Sequence, residues 1–196
     1  MSKELDCRGE LCPRPVILTK KELDSMTEGS LTTIVDNEVA KENVSKLAKS
    51  LGLEFTVSTK KDDEYHIHIV KGANDLAEEV EDMVALSKST IAIGSDKMGT
   101  GGQELGDVLM KSFIYTVRET EPYPESIVFY NSGVNLTCEG SPVLDDLMAL
   151  SEYGVDIQSC GTCLDYYNLK DKLGVGGISN MYAIYEKMKN ANTINI

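Results

Sequence analysis

Residues 6–15 read Asp6-Cys7-Arg8-Gly9-Glu10-Leu11-Cys12-Pro13-Arg14-Pro15, and their punctuation organises the sequence around them. Glu4 to Cys7 reads as a short strand, with Cys7 in the core. Gly9 permits a tight turn out of it. Pro13 has no amide hydrogen and a fixed φ suited to a first helical turn, and Pro15 falls in the same turn. A helix is therefore predicted from Pro13 to about Met26, with Gly29 just beyond it as a stop. Cys12 then occupies the N-cap. There its sulfur faces free amides and the positive end of the helix dipole, which with Arg14 favours thiolate over thiol. Such a sulfur is a nucleophile near neutral pH. The competing reading, a small buried apolar residue, accounts poorly for a cysteine set between a turn glycine and two helix-starting prolines.

Working outward, Leu31 to Val35 reads as a second strand. Asp36 or Asn37 can cap a second helix, in which Val44, Leu47, Ala48 and Leu51 repeat at helical spacing along one buried face. Gly52 ends it. Leu53, Phe55 and Val57 alternate as a third strand, and Tyr65, Ile67 and Ile69 as a fourth. The order βαββ after the first strand and helix completes βαβαββ, which fits a small sheet covered on one face by two helices. His66 and His68 share a strand face and read as polar alternation facing solvent rather than as a metal pair.

Residues 72–88 are strongly acidic (Asp75, Glu78, Glu79, Glu81, Asp82), with Leu76, Val80, Met83 and Val84 at helical spacing. They read as a partly helical linker. A second fold follows. Ile91–Ile93 is a short buried strand, Gly94–Gly102 a glycine-rich loop, and Gln103 to about Arg118 a long helix. Ile127–Tyr130 is a strand, and Ser141-Pro142 caps and starts a helix to about Glu152, which Gly154 stops. Val155–Ile157 is a strand running straight into Cys160. Short strands alternating with helices imply a parallel, doubly wound α/β sheet. Functional groups in such sheets lie beyond the carboxyl ends of the strands, where Gly94, Asn131 and Cys160 fall.

The 196-residue chain is long enough for two small domains, and its 41% hydrophobic and 26% charged content is that of a globular protein. The net charge of −13 is uneven. Residues 1–72 carry 11 Lys/Arg against 13 Asp/Glu, and the remainder 8 against 19. An acidic second half repels phosphate backbones, so direct nucleic-acid binding is not expected. No secretory signal or membrane-length apolar run is visible. The five cysteines, an odd number, argue against a disulfide framework and for a reducing cytoplasm.

Two further motifs bear on chemistry. The loop Gly99-Thr100-Gly101-Gly102 fails the dinucleotide pattern because Glu104 stands at the last glycine place, and it lacks the Lys-Ser/Thr of a P-loop. Cys160-Gly161-Thr162-Cys163 at a strand–helix junction reads as a redox pair or as a reactive Cys160 beside a core-facing Cys163. No second pair stands at zinc spacing. Cys138 reads as an incidental loop cysteine, and Tyr166 and Tyr167 as lining the Cys160 pocket or as core.

The pattern Asp6…Gly9…Cys12-Pro13-Arg14-Pro15, with its βαβαββ order over residues 1–71, resembles the TusA/SirA family of sulfur carriers. The resemblance implies a two-layer α/β sandwich and a persulfide on Cys12, supported by Gly9, Pro13, Arg14 and Pro15. One departure is Asp36-Asn37-Glu38, where many relatives have a proline after the acidic residues. Residues 89–196 resemble the DsrE/DsrF family, on the segment Gly154-Val155-Asp156-Ile157-Gln158-Ser159-Cys160. That implies a three-layer α/β/α, mainly parallel (DsrEFH-like) fold, a second persulfide site at Cys160, and homo-oligomers formed through this domain. Cys163 lies outside the general family pattern. The combination, with Cys-Gly-Thr-Cys and the loop Met98–Gly106, resembles the YedF proteins, associated with selenium metabolism. Together these imply a sulfurtransferase-like chalcogen relay between a cysteine-desulfurase-type donor and a downstream acceptor protein. Its only carrier is the covalent cysteine persulfide, with no separate cofactor, metal or membrane. Two alternatives stay open: a thiol–disulfide redox protein using Cys160 and Cys163, and a non-catalytic protein-binding module.

Overall fold

The computed structural model describes residues 2–61, 63–72 and 89–196. The acidic stretch expected as a linker lies, from residue 73 to residue 88, outside the described residues. The chain divides into two units, residues 1–78 and 79–196.

The first unit runs β1 (Ser2–Asp6), α1 (Arg14–Asp24), β2 (Gly29–Val35), α2 (Glu38–Ser50), β3 (Glu54–Lys61) and β4 (Glu64–Lys71). The sheet order is β1-β2-β4-β3. β1 and β2 are parallel, and the remaining neighbours are antiparallel. Strand alternation sends Leu31, Thr33 and Val35 of β2 and Ile67 and Ile69 of β4 to one face, all fully buried. Val44 and Ala48 of α2 and Leu23 of α1 close over them. This is a two-layer α/β sandwich. The second helix begins as its sequence indicates, with Asn37 Oδ1 accepting the Ala40 N–H at 2.8 Å. The outward face of β4 carries His66, 3.1 Å from Glu64 Oε1, and His68, 3.0 Å from Thr32 Oγ1.

The first helix starts later than expected. It spans Arg14–Asp24, with Pro13 rather than Cys12 at the N-cap and no side-chain cap. The reason lies in the backbone pairing. The Arg14 N–H donates to Leu11 O, and the Val16 and Ile17 N–H groups donate to Pro13 O. The amides that Cys12 was expected to face are thus already satisfied. Cys7 likewise sits just past the end of β1, its N–H donating to Ile34 O at 2.8 Å.

The second unit runs β5 (Ser89–Ile93), α3 (Gln103–Glu119), β6 (Ser126–Phe129), a 3-10 helix (Asn131–Thr137), α4 (Leu144–Glu152), β7 (Asp156–Cys160), α5 (Gly161–Tyr166), a 3-10 turn (Lys170–Lys172), β8 (Gly177–Ser179), α6 (Met181–Asn190) and β9 (Asn192–Asn195). The five strands lie in the order β8-β7-β6-β5-β9, each pair parallel. Ile91, Ile93, Ile127, Phe129 and Ile157 point to one face and pack with Met110 and Ile114 of α3 and Leu147 and Leu150 of α4. The opposite face sends Ala92, Val128 and Cys160 against Ile184 of α6. Helices therefore cover both faces, in three layers. The helix expected from Ser141-Pro142 begins only at Leu144, since the Ser141 hydroxyl accepts the Val143 N–H at 3.3 Å in a preceding turn. Among the described residues no helix is long and apolar enough to cross a membrane.

Candidate functional site

In the first unit the loop between β1 and α1 is built to present Cys12. Gly9 has φ +77°, a conformation that side-chain-bearing residues rarely adopt. Its N–H donates to Asp36 Oδ2 at 2.7 Å, which ties the loop to the end of the neighbouring strand. One residue earlier, Arg8 grips Asp6 through Nε at 2.9 Å and Nη2 at 2.6 Å, and reaches Glu64 at 3.1 Å. The Arg8 guanidinium and backbone N–H hold the Asp6 carboxyl at about 2. Leu11 is 84% exposed, and Cys12 beside it is exposed with its thiol free.

The hydrogen-bond partner of the Cys12 sulfur comes from the other helix. Asn43 Nδ2, on α2, donates to Cys12 Sγ at 3.6 Å. The guanidinium of Arg14, expected beside that sulfur, instead engages Glu10, with Nε 3.2 Å from Oε2. Pro13 contributes the carbonyl that accepts the first helical N–H groups. Pro15 is buried, its carbonyl accepting Thr19 Oγ1 at 2.7 Å. Of the residues singled out by sequence, Gly9, Cys12, Pro13 and Pro15 shape or occupy this loop. Arg14 pairs with Glu10. Asp36 and Asn43 were not anticipated in these roles. The Asp36 contact is implicit in the parallel register, which pairs Asp6 with Ile34 and so brings the Gly9 turn alongside Asp36. For Asn43 the sequence carries no comparable signal.

In the second unit the carboxyl ends of β5, β6 and β7 converge. Cys160 is the last residue of β7 and the N-cap of α5. It is only 2% exposed, so it is not the open nucleophile expected from its place at a strand end. Cys163, one turn on, is partly exposed. The Asn131 N–H donates to Cys163 Sγ at 3.1 Å, and Cys163 packs against the apolar cluster that buries Cys160. Burial first, and then the neighbouring Cys160 side chain, push the Cys163 thiol above the ordinary cysteine range, with the Asn131 N–H opposing them. Asn131 holds its position with φ +50° and accepts from Tyr167 Oη at 3.3 Å through Oδ1. Tyr166 is 79% exposed and meets Tyr167 edge-on at 5.0 Å. Cys138 is buried, not on an open loop. Its thiol donates to Val134 O at 3.2 Å, and burial raises its pKa. In the glycine-rich loop, Gly102 is the N-cap of α3 and Glu104 lies in its first turn. Among the described residues no group of three or more His, Cys, Asp and Glu is placed to hold a metal ion.

Comparison with known proteins finds relatives of the first unit. Residues 3–71 match the family described as Sulfurtransferase TusA. A protein of Methanocaldococcus jannaschii, named as a candidate sulfur carrier, is 34% identical over 70 residues, spanning 35% of this chain and 93% of the relative. A second protein of the same designation, from Thermotoga maritima, is 38% identical over 55 residues, spanning 28% of this chain and 70% of the relative. The crystal structure of a SirA-like protein from Desulfitobacterium hafniense is 32% identical, covers 36% of this chain and 97% of its own, and superposes with a TM-score of 0.34.

Proposed function

The chain belongs, through residues 3–71, to the TusA sulfurtransferase family, and from that premise we propose that Cys12 carries the transferred chalcogen atom as a persulfide. The observation that carries this reading is the exposed, free thiol of Cys12 at the tip of a loop fixed by Gly9 and Asp36 and met by the Asn43 amide. A carrier needs its sulfur reachable by two proteins in turn, and an exposed thiol meets that need. The Asn43 amide supplies a hydrogen-bond donor at that sulfur, and such bonds strengthen when the acceptor is ionised.

The donor on this reading is a protein of the cysteine-desulfurase type, and the acceptor a second protein or the second unit of the same chain. Residues 89–196, with their DsrE/DsrF resemblance, supply the second thiol site at Cys160 and Cys163. The YedF resemblance extends the cargo to selenium. Five free thiols suit a reducing cytoplasm. The persulfide is the only reactive group the relay needs. A thiol–disulfide role for the second unit is a separate reading, favoured by Cys163 packing against the cluster that holds Cys160.

Intact-mass analysis after incubation with a cysteine desulfurase and cysteine tests the carrier role. The wild-type chain is expected to gain one sulfur atom that maps to Cys12, and the Cys12→Ser chain to lose that addition. Equal loading of the two chains would refute it.

A further inference from the structure

We propose that Cys163 and Cys160 form a discharge site, in which Cys163 accepts the chalcogen atom and Cys160 expels it as hydrosulfide, or hydroselenide, by closing a disulfide. The inference rests on the carrier reading only for the natural source of the atom.

Three observations assign the order of the two thiols. First, Cys163 is partly exposed and Cys160 is sealed at 2% exposure, so an incoming persulfide meets Cys163. Second, Cys163 has a fixed donor on its sulfur, the Asn131 N–H at 3.1 Å, which stabilises negative charge there as attack begins. Third, Cys160 lies behind Cys163, packed among Ala92, Val128 and Ile184 in the cluster against which Cys163 itself rests. It reaches the inner sulfur of a Cys163 persulfide without approaching from solvent.

The electrons balance without an added oxidant. The Cys163 thiolate attacks the outer sulfur of the donor persulfide, and the donor thiolate leaves. Cys160, giving up its proton, then attacks the Cys163 sulfur. The bond to the outer atom breaks, and that atom departs with the electron pair as hydrosulfide and takes up the proton. The transferred sulfur is reduced by two electrons, and the two cysteines are oxidised to a disulfide. An external dithiol reductant restores the pair for another turn. Attack on the outer atom would instead pass the persulfide to Cys160 and expel the Cys163 thiolate. The upward-shifted Cys163 thiol makes a poor leaving group, so expulsion of hydrosulfide is the faster branch.

The test uses the full-length Cys12→Ser chain, fully reduced, with glutathione persulfide as the probe. Failure of the Cys12 carrier role therefore cannot decide it. Expected are hydrosulfide release beyond that of the probe alone, loss of two hydrogens from the protein mass, and a Cys160–Cys163 link in the non-reduced peptide map. Adding Cys160→Ala should abolish the excess release and leave one additional sulfur on Cys163. Adding Cys163→Ser should leave neither an added sulfur on Cys160 nor a disulfide. A persulfide that persists on the Cys12→Ser chain, or one that maps to Cys160 when Cys163 is absent, overturns the proposal. The disulfide in the Cys12→Ser chain is read without any change at the pair, so a misfolded Cys160 variant does not leave the question open.

Discussion

Cys7 and Cys12 stand five positions apart in the sequence, and the fold buries one and exposes the other. Burial, with Glu10 and Asp6 nearby, pushes the Cys7 thiol up to about 11, whereas Cys12 stands exposed. At pH 8 iodoacetamide is therefore expected to modify Cys12 in the native chain while Cys7 stays unmodified. Both should react in urea, and peptide mass mapping reads the difference. Equal native rates would mean that the β1 end opens freely. The sign for stability follows from the same shift. A raised acid pKa in the folded state favours the protonated form, so stability is fully present below the ordinary thiol range and declines as pH climbs towards about 11. That Cys12 stays out of the core was legible in the sequence, because a turn glycine and two prolines leave a cysteine there little role in packing. The source of its hydrogen bond was not legible. Whether the first helical amides are free depends on the local carbonyls of Leu11 and Pro13, and the Asn43 contact joins residues 31 positions apart.

At the level of elements, the strand ends of the second unit are positioned by a close approach that only glycine permits. A Cβ on Gly133 would lie 2.4 Å from Ile93 O, so the 3-10 helix Asn131–Thr137 sits directly on the end of β5. Gly133→Ala must displace one backbone against the other and is expected to destabilise the unit by about 1–3 kcal/mol, the usual cost of overpacking. It should also shift Asn131 and lengthen the Asn131 N–H bond to Cys163. Chemical denaturation measures the first effect, and the alkylation rate of Cys163 the second. A wild-type denaturation midpoint in the variant would remove the argument. The periodic elements were readable because each spans enough residues for a pattern. α2 shows its buried face and its cap, and β4 its alternation. β8, with 3 residues, and β9, with 4, are too short to carry a period. The helix α6 between them was also not anticipated, although Asn180 caps it through the Ala183 N–H at 3.0 Å. The Pro142 signal misled by a single turn, since Ser141 serves the turn before the helix rather than the helix itself.

Across the whole molecule, the apolar clusters keep to their own units. One joins side chains from Leu5 to Ile69, and the other two draw only on residues from Ile91 onward. Among the described residues, each unit thus buries its own sheet face. Truncating the fully buried Ile67 to Ala removes methylenes from the centre of the first cluster, at an expected cost of about 2–5 kcal/mol. Because Ile67 lies in the first cluster and the elements that carry Cys160 and Cys163 pack in the others, that cost should fall on the first unit. Hydrogen exchange followed by peptide mass analysis is the measurement. Protection of β2 and β4 amides should drop steeply in Ile67→Ala, while that of β5, β6 and β7 stays at its wild-type level. A matching loss in the second unit would mean that the two sheets unfold as one cooperative body, and the two thiol sites would then have to be treated as a single stability-coupled system.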